Sequence, residues 1–119
     1  SAKAEAEENL RAMINAHVEV VAVNPDRSQV VFHQWRFLGD ASRPAAIQKR
    51  RDYERAFIAV VEEGIGAGVF RADMNRRIAV LTILGALNWT PEWLSPEGSL
   101  SPVNVGRLIA DSLLTGVLA

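Results

Sequence analysis

Residues 76–93 read RRIAVLTILGALNWTPEW, and this stretch decides the fold. It predicts a helix that Asp73 can cap and that is apolar on nearly every side, leaving no face for solvent. In a domain this small, one side of such a helix can cover the chain's own core, and the other is buried most economically against a second copy of the chain. The sequence therefore predicts a homodimer whose interface takes from this helix Ile78, Leu81, Leu84 and Leu87.

The segment that precedes this helix predicts three more. From Ala2 to about Val23, apolar residues recur at spacings of three and four, which is typical of one buried helical stripe. The sequence Asn-Pro-Asp at 24–26 ends that helix and begins a second, which we expect to run to about Leu38. A third helix is expected to start at 42–44 and to end among the glycines at 64, 66 and 68.

The segment that follows predicts one final helix. Residues 89–91 break the apolar helix, and Ser95-Pro-Glu-Gly98 forms a turn. Ser101 and Pro102 then supply an N-cap and a first-turn proline for a helix that ends near Gly116. The sequence lacks the strict alternation of apolar and polar residues that is typical of β-strands. We therefore expect an all-α bundle of about five to six helices.

Composition narrows the function classes. The chain has 119 residues, 49% of them hydrophobic, which suits one domain with a single core over residues 1–119. Its net charge of -1 gives no overall basic surface for DNA or for an anionic membrane. The absence of cysteine excludes thiol chemistry and agrees with a cytoplasmic location. No apolar run approaches the roughly 20 residues of a membrane-spanning helix.

Several segments carry a resemblance to a known family. They read WRFL at 35–38, RRDYER at 50–55, VVEEGI at 60–65, GVFR at 68–71, ILGALNWTPEW at 83–93 and LSP at 100–102. Together they resemble the C-terminal ligand-binding and dimerisation domain of TetR-family transcriptional repressors, which are bacterial regulators. The tryptophan pair is the sharpest element, and the pattern is most similar to repressors of fatty-acid and steroid catabolism.

The resemblance implies a fold and a function. The last two long helices would pair with those of a second copy as a four-helix bundle, while the earlier helices would enclose an inducer pocket. The inducer would be a small hydrophobic effector, such as an acyl-CoA or a lipid or steroid derivative, and no cofactor is expected. Operator DNA would be bound only through an N-terminal helix-turn-helix domain that this chain lacks, and the inducer would release it. The final helix would add to the interface Val105, Leu108, Ile109 and Ser112.

Two charged residues are candidates for ligand binding. Extending the apolar stripe of the third helix backwards by three and four residues reaches Glu54 and Arg51, which therefore point towards the core. They form either a structural ion pair or a contact with the polar head of an inducer at the mouth of a pocket. The basic residues nearby could meet an inducer phosphate or form a solvated helix face.

Large aromatic side chains are the other candidates. Pockets for apolar ligands are usually lined by such groups with a few polar ones, although most aromatic residues simply fill cores. Trp89 and Trp93 would share a face only if the helix continued through Pro91. The candidates are Phe32, Trp35, Phe57, Trp89 and Trp93.

Catalysis and metal binding have little support. His17 and His33 are accompanied by no further histidines or paired carboxylates at ligand spacing, and no nucleophile and base are brought together. We therefore expect a regulator and not an enzyme. The alternative is a dimerisation-only module with a filled core, and the two hypotheses differ in whether the domain contains a cavity.

Overall fold

In the computed structural model, described for residues 1–23, 39, 41–94 and 100–118, four long helices and one single-turn helix account for most of the described residues. The all-α class is confirmed, and the described residues contain four of the long helices where about five to six helices were predicted for the whole chain. The second predicted helix, at 24–38, lies outside the described residues. The helices are α1 (Ala2–Val23), α2 (Arg43–Gly66), α3 (Arg76–Asn88), α4 (Thr90–Trp93) and α5 (Pro102–Thr115).

Helix α1 is the centre of the domain, and it packs against α5 on one side and α2 on the other. The helix keeps the predicted spacing of three and four residues, because this spacing places all the apolar groups on one stripe. At the crossing with α5, a β-carbon on Gly106 would lie 2.6 Å from Oδ1 of Asn15, so glycine allows the close approach. The buried residues of α1 are Ala6, Leu10, Ile14, His17, Val18 and Val21.

Helix α3 begins two residues later than the sequence suggested. Its N-cap is Asn75, whose side chain accepts a hydrogen bond from the backbone N–H of Ile78 at 2.9 Å. Asp73, the predicted cap, instead accepts a hydrogen bond from Nε of Arg71 at 2.7 Å. The prediction of Asp73 was wrong because the helix begins two residues further on, where the side chain of Asn75 reaches the free N–H of the first turn.

Helix α3 also ends close to where the sequence predicted. Its last residue is Asn88, and the Thr90 hydroxyl donates a hydrogen bond to the Leu87 carbonyl at 2.7 Å. Pro91 lies in the single turn of α4, where a missing N–H is tolerated at the start of a helix. At the other end of the fold, Ser101 caps α5 as predicted, accepting from the N–H of Asn104 at 3.3 Å.

The sides of α3 are divided between the core and the surface. Val80, Ile83, Leu84 and Leu87 are buried within the chain. The opposite stripe is exposed, although it contains Ile78, at 60% exposure, and Leu81, at 39%. Half of the predicted interface residues of α3 are therefore still available to a second copy of the chain.

Three predicted interface residues need correction. Leu87 is fully buried in the monomer, Leu84 is 7% exposed and Val105 is 6% exposed, so they belong to the core of a single chain. Because α3 is apolar on nearly every side, the sequence could not show that Leu84 and Leu87 face the core while other apolar residues of α3 face outward. Of the others on α5, Leu108 and Ser112 are exposed and Ile109 is half-buried.

Candidate functional site

A cavity of about 410 Å³ lies between α2 and α3. Both helices present to it residues spaced by three and four, so each contributes one helical stripe. The stripe of α2 runs from Ile47 to Glu54, and that of α3 runs from Leu81 to Asn88. The lining residues are Ile47, Arg50, Arg51, Tyr53, Glu54, Leu81, Leu84, Gly85 and Asn88.

The cavity is amphipathic. Ile47, Leu81 and Leu84 give it an apolar wall, while Arg50 and Arg51 bring two guanidinium groups to its α2 side. Glu54, which is half-buried, accepts a hydrogen bond from Nε of Arg77 on α3 at 3.5 Å. This carboxylate therefore has a cationic partner on α3.

Tyr53 connects the cavity to the core. The phenol oxygen lies 2.7 Å from Nδ1 of His17, a residue that is only 2% exposed. The Tyr53 ring also meets Phe57 edge-on, with 5.2 Å between the ring centroids, and such contacts favour a fixed ring position. One residue of the cavity wall is thus held by groups on both α1 and α2.

The environment of this pair changes the acidity of both groups. Burial lowers the pKa of His17 from 6.5 to about 4, and a backbone hydrogen bond at Leu87 acts in the opposite direction to a smaller extent. Burial also raises the pKa of Tyr53 to about 12. Both side chains are therefore neutral near pH 7, as expected for polar groups in an apolar surrounding.

The structure brings together only part of the predicted ligand-binding set. Arg51 and Glu54 line the cavity, and Glu54 also forms an ion pair, with Arg77; a contact of either residue with an inducer stays a prediction. Phe57 does not line it, because its side chain is fully buried in the core behind Tyr53. Trp89 and Trp93 are 58% and 51% exposed and lie outside the lining of this cavity. Phe32 and Trp35 lie outside the described residues.

Sequence reasoning missed Tyr53 and Gly85 as lining residues, and it considered Arg50 only as one of the basic residues near Arg51 that could meet an inducer phosphate. The signal for Arg50 was present, because Ile47, Arg50, Arg51 and Glu54 are spaced by three, one and three residues on one helical face. The Tyr53–His17 hydrogen bond had no such signal, since it joins residues 36 positions apart.

A second groove, of about 370 Å³, separates α3 from α5. It includes Ile78 and Thr82 of the exposed α3 stripe and Ser112 of α5. The groove is predominantly apolar and contains exposed Ile78, so an apolar surface extends across both helices.

None of the helices in the described part of the chain has the length and apolarity to cross a membrane. Over the same residues, no group of three or more histidine and acidic side chains is placed to hold a metal ion.

Comparison with known sequences shows the family of this chain. The profile of the tetracyclin repressor-like, C-terminal domain family matches residues 3–117, almost the whole chain. The chain belongs to this family. The predicted resemblance to TetR-type regulators is thereby confirmed, and the α2–α3 cavity and the α3–α5 groove are features of a TetR-like C-terminal domain.

Two solved structures are similar to this TetR-like domain. The ketosteroid transcriptional regulator KstR2 of Mycobacterium tuberculosis has a TM-score of 0.87 at 18% sequence identity, covering 94% of this chain and 58% of its own. A TetR/AcrR-family transcriptional regulator from Thermobifida fusca YX-ER1 has a TM-score of 0.79 at 27% identity, covering 93% and 58%. The chain thus spans 58% of the length of either regulator. Among curated protein sequences, no relative matches.

Proposed function

We propose that this domain is the effector-sensing and dimerisation part of a transcriptional repressor. Its effector is a hydrophobic metabolite with an anionic head, such as a fatty acid, a steroid acid or an acyl-CoA. Binding of this effector lowers the affinity of the full-length dimer for operator DNA, which is contacted by a separate N-terminal domain. Several steps support the proposal.

The amphipathic cavity carries the proposal. Its volume of about 410 Å³ falls within the range of small-molecule sites, and its wall is apolar with a few convergent polar groups. Arg51 at one side suits a carboxylate or phosphate, because a guanidinium donates paired hydrogen bonds to such groups. An apolar tail would lie against Leu81 and Leu84.

The exposed apolar surface of α3 and α5 supports dimerisation. Ile78 lines the α3–α5 groove and is 60% exposed in the single chain. Leu81 on α3 and Leu108 on α5 are 39% and 43% exposed. A second copy would remove this surface from water, and a two-fold interface uses the same patch twice. The predicted interface is thus reduced to Ile78, Leu81, Leu108, Ile109 and Ser112.

Helix α3 offers a physical route between the two events. Leu81 and Gly85 line the cavity, and the neighbouring exposed positions of the same helix face the proposed partner. A ligand that binds one orientation of α3 more tightly than another shifts the dimer towards that arrangement. The distance between paired DNA-binding domains would change accordingly.

A thermal-shift assay tests ligand binding. Dodecanoyl-CoA, dodecanoate and cholate provide anionic heads on apolar bodies, and dodecanol is the uncharged control. A ligand at 100 times its Kd stabilises the folded state by about 2.7 kcal/mol, so we expect a dose-dependent rise in Tm with at least one anion and none with dodecanol.

Matched variants of α2 identify the site. Arg51→Gln should abolish the rise, whereas Arg55→Gln should retain it, because Arg55 is exposed on the same helix but does not line the cavity. No rise with any probe would favour the alternative function, a dimerisation-only module. That alternative has its own support in the exposed surface of α3.

A further inference from the structure

The core of the domain contains a polar pair whose position is unusual. Among the described residues, the buried polar side chains are His17 and Thr90. Thr90 is accounted for by the end of α3, where its hydroxyl donates to the Leu87 carbonyl. His17 has no such role in a helix end, and its bonded partner, Tyr53, is part of the cavity wall.

Two helices meet at this pair. His17 is on α1 and Tyr53 is on α2, and Nδ1 of the imidazole lies 2.7 Å from the phenol oxygen. The two rings are also packed against each other, with 5.5 Å between their centroids. The pair therefore joins the wall of the cavity to the middle of α1.

The arrangement has a consequence for any molecule in the cavity. Tyr53 lines the cavity, so an occupant can contact one partner of the buried bond directly. A buried hydrogen bond has two discrete states, made or broken, and rigid helices on either side move with it. A purely apolar contact between the same helices would not have two such distinct states.

We propose that Tyr53 is the positioning residue through which occupancy of the α2–α3 cavity is transmitted to α1. An occupant that moves the Tyr53 ring or recruits its hydroxyl weakens the bond to His17, and α1 responds at the middle of its length. This proposal rests on the proposed function, since it requires that the cavity binds a ligand.

Nitrogen NMR of the imidazole tests this proposal on the 119-residue chain, with dodecanoyl-CoA as the probe. The Nδ1 resonance of His17, distinguished from that of His33 by the variant His33→Gln, should change with a saturable dependence on probe concentration. Hydrogen exchange of the α1 amides around His17 should change over the same range. Arg51→Gln, which weakens binding, should shift both curves to higher probe concentration.

Two variants separate transmission from binding. His17→Leu leaves every lining residue of the cavity in place but removes the partner of the Tyr53 hydroxyl, so we expect the probe to bind within about threefold of the wild-type affinity while the exchange response of α1 is lost. If this variant folds poorly, His17→Met removes the same partner with a more flexible side chain. It should likewise bind the probe without a response in α1.

The outcomes are distinguishable. Binding of the probe with unchanged His17 resonances and unchanged α1 exchange would overturn this proposal and leave the proposed function intact. A full α1 response in either variant would also overturn it. Failure of every probe to bind would overturn the proposed function, and the transmission through Tyr53 would fall with it.

Discussion

The ring of Phe70 lies directly on the backbone of Gly64, so close that a β-carbon at Gly64 would overlap the ring atoms. Gly64 is buried in the last turns of α2, and its carbonyl accepts hydrogen bonds from the N–H groups of Val69 and Phe70 at 3.0 and 3.2 Å. The turn that follows needs Gly68, whose φ is +77°. The connection then continues to the C-terminal segment, where the Arg71 N–H donates to the Val117 carbonyl at 2.8 Å.

This contact predicts a large effect of one methyl group. Gly64→Ala should lower the free energy of unfolding by about 1–3 kcal/mol, because the added carbon displaces a fully buried aromatic ring. Urea denaturation measures the change. Gly66→Ala is the matched control, since a β-carbon there has open space and should leave the midpoint unchanged or raise it. Equal effects of the two changes would contradict the packing argument.

The low pKa of His17 predicts a pH dependence of stability. The folded-state pKa of about 4 lies below the unfolded value of 6.5, so the unfolded state binds more protons between these values. Stability should therefore be complete above pH 6.5 and be lost as the pH falls towards 4. Between pH 7 and pH 5, the loss from this residue should be about 2 kcal/mol.

The variant His17→Met isolates that contribution. Its free energy of unfolding should fall less steeply with pH than that of the wild-type protein, as measured by urea titration at pH 7, 6 and 5. Parallel pH profiles for the two proteins would show that His17 is not the group responsible.

The cap of α3 gives a third prediction. Asn75→Ala should destabilise the domain by about 1 kcal/mol, because it removes the acceptor of the Ile78 N–H. Asp73→Ala should leave the unfolding midpoint unchanged, since this exposed carboxylate pairs only with exposed Arg71 in the turn. The reverse order of effects would restore Asp73 as the cap.

Dimerisation is tested by two substitutions of equally exposed residues. Ile78 on α3 and Val20 on α1 are both 60% exposed. Ile78→Arg should convert a dimer of about twice the 13.0 kDa chain mass into a monomer in equilibrium sedimentation, because it places a charge in the apolar interface. Val20→Arg should not. A wild-type monomer at tens of micromolar would contradict the interface.

The sequence was sufficient for most of the helices. Residues 2–23 carry an apolar stripe with one clear phase, so both the extent of α1 and its buried face were predictable. Ser101 and Pro102 likewise marked the start of α5, because serine followed by proline is typical of a helix N-terminus.

The sequence was insufficient where several arrangements satisfied the same pattern. Asp73 and Asn75 are both good caps, and the sequence does not show at which of them the helix begins. Helix α3 is apolar all round, so the rotation that buries Leu87 and exposes Ile78 is set by packing against α2.

The candidate site was likewise predictable only in part. Arg51 and Glu54 were found because one helical stripe extends into the cavity wall. Tyr53 was not, because its part in the wall depends on the rotation of α2 and its bond to His17 depends on how α1 crosses that helix. Phe57 was assigned to the pocket because it is aromatic, but its side chain is fully buried in the core.

The measurement that tests the α2–α3 cavity most directly uses a substitution that fills it. Gly85 lines the cavity and a β-carbon there has open space, so Gly85→Leu should fold normally while occupying the ligand's volume. Gly66→Leu adds the same side chain away from the cavity. Sedimentation of both variants verifies that they keep the oligomeric state of the wild-type protein.

Calorimetric titration with dodecanoyl-CoA then compares the three proteins. If the ligand occupies this cavity, Gly85→Leu should weaken binding by at least tenfold, which corresponds to about 1.4 kcal/mol, and Gly66→Leu should bind as the wild type does. Unchanged affinity in Gly85→Leu would contradict the assignment of the cavity as the effector site.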